Sequence, residues 1–218
     1  MSKIYVIASK AKQSSMVSWI ASLMLAMTIM LFSTSAYADD TALVQKVETY
    51  LNGISTLTAD FAQVDSDGNA SGGKFTLKRP GKFKWEYDQR QPILIVSDGK
   101  QLVYYDKLMK EASYVSVENS LASFLARKDI KLSGDVKLVT IEDKDGVTRA
   151  KVVQRGKPDQ GKLTMIFTDM KISGLEVEDA NGYLTKIAFS NLQASAEIAD
   201  KNFIFHDPKY SKNAWEKN

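Results

Sequence analysis

Few side chains in this sequence could do catalytic or metal chemistry. Its 218 residues include one histidine, His206, and no cysteine. A histidine-based catalytic triad or a multi-histidine metal site is therefore not expected, and no thiol nucleophile is available. The sequence contains neither a P-loop nor a glycine-rich dinucleotide fingerprint. We predict no catalytic residues, no metal site and no cofactor, and an exposed, non-catalytic position for His206.

Two pairs of aspartates have a spacing that could suit calcium. They are Asp65 with Asp67 and Asp143 with Asp145, and each pair lies beside a glycine. Neither pair is followed by the glutamate that an EF-hand loop needs at its last position. Aspartate commonly stabilises turns by accepting backbone hydrogen bonds, so turns explain both pairs better than a metal does. A catalytic carboxylate pair stays open, because any two acids could meet in the folded chain.

The N-terminus has the organisation of a secretory signal peptide. A basic start with three lysines precedes an almost wholly apolar segment over 16–32, and an A-x-A cleavage site ends at Ala38. The alternative is an uncleaved anchor, but the apolar run is shorter than the roughly 20 residues of a spanning helix. We predict a signal peptide over 1–38, cleavage after Ala38, and a periplasmic mature chain over 39–218.

The predicted mature chain carries almost no net charge. Of the 29 basic residues three lie in the signal peptide, which leaves 26 against 26 acidic residues. A strong positive field would be needed to bind nucleic acid or an anionic surface, so we predict no nucleic-acid partner. Because the chain has no cysteine, it forms no disulfides, depends on its hydrophobic core, and offers no thiol for lipid attachment.

Hydrophobic periodicity predicts helices at two places and strands elsewhere. Apolar residues recur at helical spacing over Thr41–Gly53, with Thr41 as N-cap and Gly53 as the stop. A short helical segment is predicted over Ser120–Lys128, capped by Asn119 or Ser120. From Thr56 onward the period changes to two, which is typical of strands with one buried face.

Alternating apolar residues between turn signals give about ten or eleven strands, and a tail is expected from Lys209. We predict one antiparallel β domain with an N-terminal helix and a mid-chain helical insertion. The predicted strands contain Leu57–Phe61, Phe75–Leu77, Phe83–Tyr87, Ile93–Val96, Leu102–Tyr105, Val136–Ile141, Leu163–Phe167, Leu175–Val177, Leu184–Phe189 and Phe203–Phe205. On composition alone, their large apolar side chains fit a packed core more readily than a ligand cavity, and both stay open.

One segment resembles the signature of the LolA family of outer-membrane lipoprotein carriers. It runs over Phe75–Tyr87 and contains a strand, then Lys-Arg-Pro, then Phe-x-Trp. Three further segments match the family in the same order: Leu57–Gln63, then Ile95–Lys100 with Tyr104–Asp106, then Lys201–Phe205. The middle of the chain, about residues 131–160, matches only in its hydrophobic pattern.

The resemblance implies an unclosed antiparallel β-barrel of about 11 strands with a lid of short helices over an apolar cavity. It implies a monomeric periplasmic chaperone that binds the acyl chains of lipoproteins and is not an enzyme. It further implies that an inner-membrane ABC transporter of LolCDE type supplies the lipoprotein. An outer-membrane receptor of LolB type, if present, would accept it.

The resemblance also assigns roles to particular residues. Arg79 aligns with the arginine that holds the lid shut, a task that suits a guanidinium with five donors and a permanent charge. The last carbonyls of a lid helix lack helical partners and are the expected acceptors. The residues expected to line the acyl-chain cavity are Phe75, Leu77, Phe83, Trp85, Ile93, Ile95, Leu102 and Tyr104.

Two other functions are compatible with parts of this pattern. A periplasmic lipid-sensing regulator could use the same fold, but such a protein usually carries a second domain, and none is predicted here. A secreted hydrolase is a weaker alternative, because the chain lacks the usual catalytic residues.

Overall fold

The computed structural model describes residues 35–89, 91–116 and 121–211. The chain divides into two compact units, 1–42 and 43–218. In the first unit only residues 35–42 are described, and they are helical. The predicted signal peptide lies outside the described residues except for 35–38, so its cleavage stays a prediction. None of the described helices has the length and apolar character needed to cross a membrane.

The N-terminal helix, α1, spans Ser35–Asn52. The predicted N-cap at Thr41 is wrong, because the helix continues through it, over a stretch with two alanines, which favour helix. The predicted end is confirmed: the Gly53 amide donates a 3.0 Å hydrogen bond to the carbonyl of Thr49. Val47 and Leu51 lie on the buried face of the helix.

Eleven strands form one antiparallel sheet in the order β6-β5-β4-β3-β2-β1-β11-β10-β9-β8-β7. The edge strands β6 and β7 are not paired with each other, so the sheet is unclosed, as predicted. The strands are β1 (Thr56–Val64), β2 (Ala70–Lys78), β3 (Lys82–Tyr87), β4 (Ile93–Asp98), β5 (Gln101–Asp106), β6 (Glu111–Ser116), β7 (Val136–Lys144), β8 (Val147–Gln154), β9 (Gly161–Thr168), β10 (Lys171–Asp179) and β11 (Leu184–Ala194).

The other helices among the described residues have one or two turns. They are 3-10 helices at Leu121–Ala126, Pro158–Gln160 and Asp200–Phe203, and a short α-helix, α2, at Pro208–Ser211. The helical segment predicted over 120–128 is therefore a 3-10 helix, and its predicted caps lie outside the described residues. The strand predicted at Phe203–Phe205 is wrong, because Phe203 ends a 3-10 helix. Residues 209–211 of the predicted tail are helical.

Two hydrophobic clusters lie on opposite faces of the sheet. The larger one joins the inner face of the strands to α1 and to the helix Leu121–Ala126. The smaller one covers the outer face of β4 and β5, where Val96, Val103 and Tyr105 pack against the C-terminal segment. The alternation along β4 explains why this strand contributes to both clusters, because Ile95 and Val96 point to opposite faces of the sheet. Phe203 and Phe205 belong to the outer cluster, which is why they resemble strand residues in the sequence.

Candidate functional site

A cavity of about 240 Å³ lies between the two halves of the sheet. Strands β1, β3 and β4 form one wall, and β9, β10 and β11 form the other, with Leu125 of the helix Leu121–Ala126 between them. Apart from Gln63 and Thr185, the lining is apolar or aromatic. The lining residues are Gln63, Trp85, Tyr87, Ile95, Leu125, Leu163, Leu175, Val177, Thr185 and Ile187.

Strand pairing brings these residues together from distant parts of the chain. Trp85 pairs with Ile95, Leu163 with Val177, and Gln63 with Ile187. Since two paired residues share a face of the sheet, each pair contributes adjacent side chains to the cavity lining, and the Gln63–Ile187 pair joins the two walls. The apolar lining can bind alkyl chains, and its few polar atoms offer no reactive group.

One polar contact crosses the more exposed part of the cavity. The Tyr87 hydroxyl donates a 2.9 Å hydrogen bond to Oε1 of Gln63. Burial raises the pKa of Tyr87, so the hydroxyl stays protonated and able to donate. Because both residues lie near strand ends and are half-buried, this pair marks the mouth of the cavity.

The residues predicted to line a cavity lie on the same inner face but in different surroundings. Trp85 and Ile95 line it, whereas Ile93 is half-buried at the start of β4. Tyr104 is 40% exposed, one strand from the sheet edge. The others are packed in the larger cluster: Phe75, Leu77, Phe83 and Leu102. The inner face thus holds a filled core beside a small cavity, and the ligand-binding role of all eight residues stays a prediction.

Eight of the ten lining residues were not predicted from the sequence, and five of those eight form the wall opposite Trp85. Leu163, Leu175, Val177, Thr185 and Ile187 all belong to the C-terminal strands. Their alternation was visible in the sequence. The sequence does not show that β1 pairs with β11, and this pairing places the C-terminal strands opposite Trp85.

Arg79 connects the β2–β3 turn to both helical elements. Its Nε donates a 2.8 Å hydrogen bond to the carbonyl of Leu125, and its Nη1 donates to the carbonyl of Leu51. Leu51 lies in the last turn of α1, where carbonyls lack intrahelical partners. Burial lowers the pKa of Arg79 to about 10, so the guanidinium is still charged at neutral pH. Its role as a lid latch stays a proposal.

The turn that carries Arg79 is itself held tightly. The Gly81 amide donates a 2.6 Å hydrogen bond to the carbonyl of Ala126, and Ser97 Oγ donates one of 2.8 Å to the carbonyl of Gly81. Gly81 has a φ of +76°, and a Cβ there would lie 2.7 Å from the Cα of Gly99. Only glycine fits this position, because both the conformation and the space exclude a side chain.

Asp65, Asp67 and Asp145 lie in turns between strands, as predicted, whereas Asp143 lies within strand β7. Asp65 Oδ1 accepts hydrogen bonds from the amides of Asp67 and Asn69. Asp145 lies in the β7–β8 turn with a φ of +53°. Within the part of the chain that the structure describes, no three His, Cys, Asp or Glu side chains are grouped to hold a metal ion.

Comparison with known proteins places this chain in a family. The sequence profile described as "Outer membrane lipoprotein carrier protein LolA" matches residues 52–206, which include all eleven strands. The chain belongs to the LolA family. The resemblance of its Lys-Arg-Pro and Phe-x-Trp segment to that family is thereby confirmed.

Individual relatives agree with the family assignment. An outer-membrane lipoprotein carrier protein of Methylococcus capsulatus is 32% identical over 175 residues, covering 75% of this chain and 83% of that protein. One of Pseudomonas paraeruginosa is 29% identical over 185 residues, covering 79% of this chain and 88% of that protein. Among solved structures, a LolA superfamily protein of Nitrosomonas europaea is 12% identical with a TM-score of 0.47, covering 75% of this chain and 98% of that one.

Proposed function

We propose that this LolA-family protein is a periplasmic chaperone that binds the acyl chains of lipoproteins and delivers them to the outer membrane. The observation that carries the proposal is the apolar cavity, which is covered by Leu125 and lies beside elements held by Arg79. Burying acyl chains in an apolar site gains about 0.8 kcal/mol per methylene, so lipoproteins need such shielding to cross water. The names of the relatives, lipoprotein carrier proteins, support this function.

The size of the cavity indicates that the elements covering it move when cargo binds. At about 240 Å³ it is smaller than the roughly 300–1,000 Å³ of pockets that enclose a drug-sized ligand. Lipid acyl chains therefore require displacement of Leu125 and its neighbours, or of α1. Breaking the bonds of Arg79 is the first step of that opening, because they join both helical elements to one turn.

We further propose how cargo arrives and leaves. An inner-membrane ABC transporter of LolCDE type supplies the lipoprotein, and an outer-membrane receptor of LolB type, where present, accepts it. The sequence contains no P-loop, so this chain supplies no ATP-driven step and onward transfer runs downhill in free energy. Closure of the empty lid by Arg79 then competes with bound acyl chains and favours their release.

The test is to fill the cavity and ask whether lipoproteins still bind. Val177→Trp places an indole in the cavity from a half-buried lining position on β10. The matched control is Val139→Trp, at a valine that is 48% exposed on the edge strand β7. Each protein is isolated from periplasm, and co-purifying acylated lipoproteins are quantified by mass spectrometry.

We expect at least a tenfold loss of bound lipoprotein in Val177→Trp and wild-type binding in Val139→Trp. Far-UV circular dichroism and a melting curve check that both variants fold. Equal lipoprotein binding by the two folded variants, or none by the wild type, would refute the carrier function of this cavity. Binding of free lipids without any lipoprotein would favour the sensor function instead.

A further inference from the structure

The most exposed large hydrophobic side chains among the described residues lie at one end of the sheet. Leu108 is 79% exposed, Met109 71% and Tyr183 59%. Leu108 and Met109 form the tip of the β5–β6 turn, and Tyr183 lies in the β10–β11 turn. Single exposed hydrophobic residues are ordinary, but three at one end of a molecule indicate an interaction surface.

This end of the sheet is also where the cavity opens. Asp106 ends β5 just before the tip and pairs with Ile93, the first residue of β4. Tyr87, which ends the neighbouring strand β3, lines the mouth. In the other half, Thr185 lines the cavity two residues after Tyr183. The two exposed turns therefore flank the mouth on opposite sides.

The β5–β6 tip is a fixed turn. Asp106 Oδ1 accepts hydrogen bonds of 2.8 and 2.9 Å from the amides of Leu108 and Met109. Lys107 forms a 3.5 Å ion pair with Glu86 of β3, which ties the base of the tip to the strand that ends at the mouth. The turn thus holds two apolar side chains in solvent while the backbone amides of Leu108 and Met109 keep hydrogen-bond partners.

The charges around the tip favour an apolar partner surface over a strongly charged one. Lys107 and Lys110 flank the two apolar residues, and Asp106 and Glu111 balance them. The local net charge is near zero, so attraction must come mainly from burial of Leu108 and Met109. Lys107 is ion-paired with Glu86, but the stem of Lys110 is long enough for its ammonium group to reach lipid phosphates while the tip enters the apolar layer.

We propose that this end of the sheet docks on the surface of a phospholipid bilayer. Leu108 and Met109 insert at the boundary between headgroups and acyl chains, and Tyr183 lies at headgroup level, where a ring with one polar atom is favoured. The mouth of the cavity then faces the bilayer. If the proposed carrier function holds, acyl chains pass between two apolar environments without crossing water, but binding to the bilayer does not itself depend on that function.

The experiment measures binding of the full mature chain, without cargo, to vesicles of phosphatidylethanolamine and phosphatidylglycerol. Co-sedimentation compares the wild type with Leu108→Ser, with the double variant Leu108→Ser/Met109→Ser, and with Leu192→Ser as the matched control. Leu192 is 37% exposed near the end of β11, at the opposite end of the sheet. Because the chain has no cysteine, Met109→Cys and Leu192→Cys can each carry one environment-sensitive dye.

We expect the partition coefficient to fall at least tenfold in the double variant and less than twofold in Leu192→Ser. Dye at position 109 should shift to the blue when vesicles are added, and dye at position 192 should not. The proposal is overturned if the wild type stays in solution, or if the Leu108 and Leu192 variants bind vesicles equally. Lipoprotein binding is not measured here, so failure of this proposal leaves the carrier function untouched.

Discussion

The two ends of the sheet are held in opposite ways. At the end with the β2–β3 turn, Arg79 and Gly81 donate hydrogen bonds to carbonyls of α1 and of the helix Leu121–Ala126. At the other end, the turns carry the exposed side chains of Leu108, Met109 and Tyr183 beside the mouth of the cavity. We call these the tied end and the open end.

The difference indicates which end resists opening. Polar bonds to helix carbonyls are directional and break over a short distance, so separating the helices from the tied end requires these bonds to break. At the open end the side chains of Leu108, Met109 and Tyr183 are exposed, so they can meet other surfaces without disturbing the core. Cargo release would therefore be controlled at the tied end, and contact with a membrane at the open end.

The largest effect on stability should come from truncating one leucine at each end. Leu51 is 1% exposed in α1, whereas Leu108 is 79% exposed in the β5–β6 turn. We expect Leu51→Ala to lower the free energy of unfolding by about 2–5 kcal/mol, because it leaves a cavity in the core. Leu108→Ala should change it by less than about 0.5 kcal/mol. Urea denaturation followed by circular dichroism measures both, and similar losses would mean that the ends do not differ as described.

The next effect concerns the control of cargo release by the hydrogen bonds at the tied end. Arg79→Leu removes two hydrogen bonds from a charged donor, each worth about 1.5–3 kcal/mol. We expect the variant to take up lipoprotein but to release it at least tenfold more slowly. Arg79→Lys should release lipoprotein at an intermediate rate, since lysine keeps the charge but lacks the planar group whose donors reach two carbonyls at once. Release from loaded protein to acceptor membranes is the measurement, and equal rates in all three proteins would exclude a latch role.

A smaller effect is expected where the end of α1 meets the loop that follows the helix Leu121–Ala126. The Asn52 side chain donates to the carbonyl of Ile130 at 2.9 Å and accepts from its amide at 2.8 Å. Asn52→Ala should lower the free energy of unfolding by about 1–3 kcal/mol, because a part-buried amide and carbonyl lose their partner. Asn202→Ala, in an exposed 3-10 helix, is the matched control. A loss no larger than that of the control would show that these bonds do not hold α1 in place.

The smallest effect should appear at low pH. Asp200 lies 2.6 Å from the ammonium groups of both Lys78 and Lys82, and these hydrogen bonds lower its pKa from 3.8 to about 2. Because the folded value is below the ordinary one, the stabilisation is complete above pH 4 and is lost as the pH falls toward 2. Asp200→Asn should lack this part of the pH dependence.

Melting temperatures of wild type and Asp200→Asn between pH 2 and pH 6 test the point. The difference between the two proteins should shrink at low pH, and should also shrink in 1 M salt, where exposed ion pairs are screened. A difference that is constant over the whole pH range would mean that the charge of Asp200 does not contribute.

Much of the fold was predictable because strands with one buried face have a period of two. The alternation in β2, β3 and β9 located these strands, and the glycine of the Asn181-Gly182 pair adopts the positive φ, +84°, that a tight turn requires. Two strands, β6 and β8, were not among those predicted. Most residues of β6 are exposed, so no buried face appears in its sequence, whereas β8 does alternate between buried and half-buried residues and was overlooked. The closing strand was misassigned because Phe203 and Phe205 bury themselves on the outer face from irregular backbone.

The candidate site was predictable only in part, because local alternation shows which face a side chain is on but not what surrounds it. Local pattern placed Trp85 and Ile95 on an inner face, and the Lys-Arg-Pro segment identified Arg79. It could not show that Tyr104 lies near the sheet edge and is 40% exposed. Nor could it show which side chains fill the core and which leave space.

The sequence by itself determined the periodicity of the elements, the lack of histidine and cysteine chemistry, and the family signature around Arg79, because these depend on residue type and local spacing. Only the tertiary structure decided that β1 pairs with β11 and so brings Ile187 opposite Gln63 in one cavity. It also decided that Arg79 reaches the carbonyls of Leu51 and Leu125, which lie 28 and 46 residues away. Such contacts depend on how the whole sheet curves and where the helices pack on it, and no local pattern encodes that.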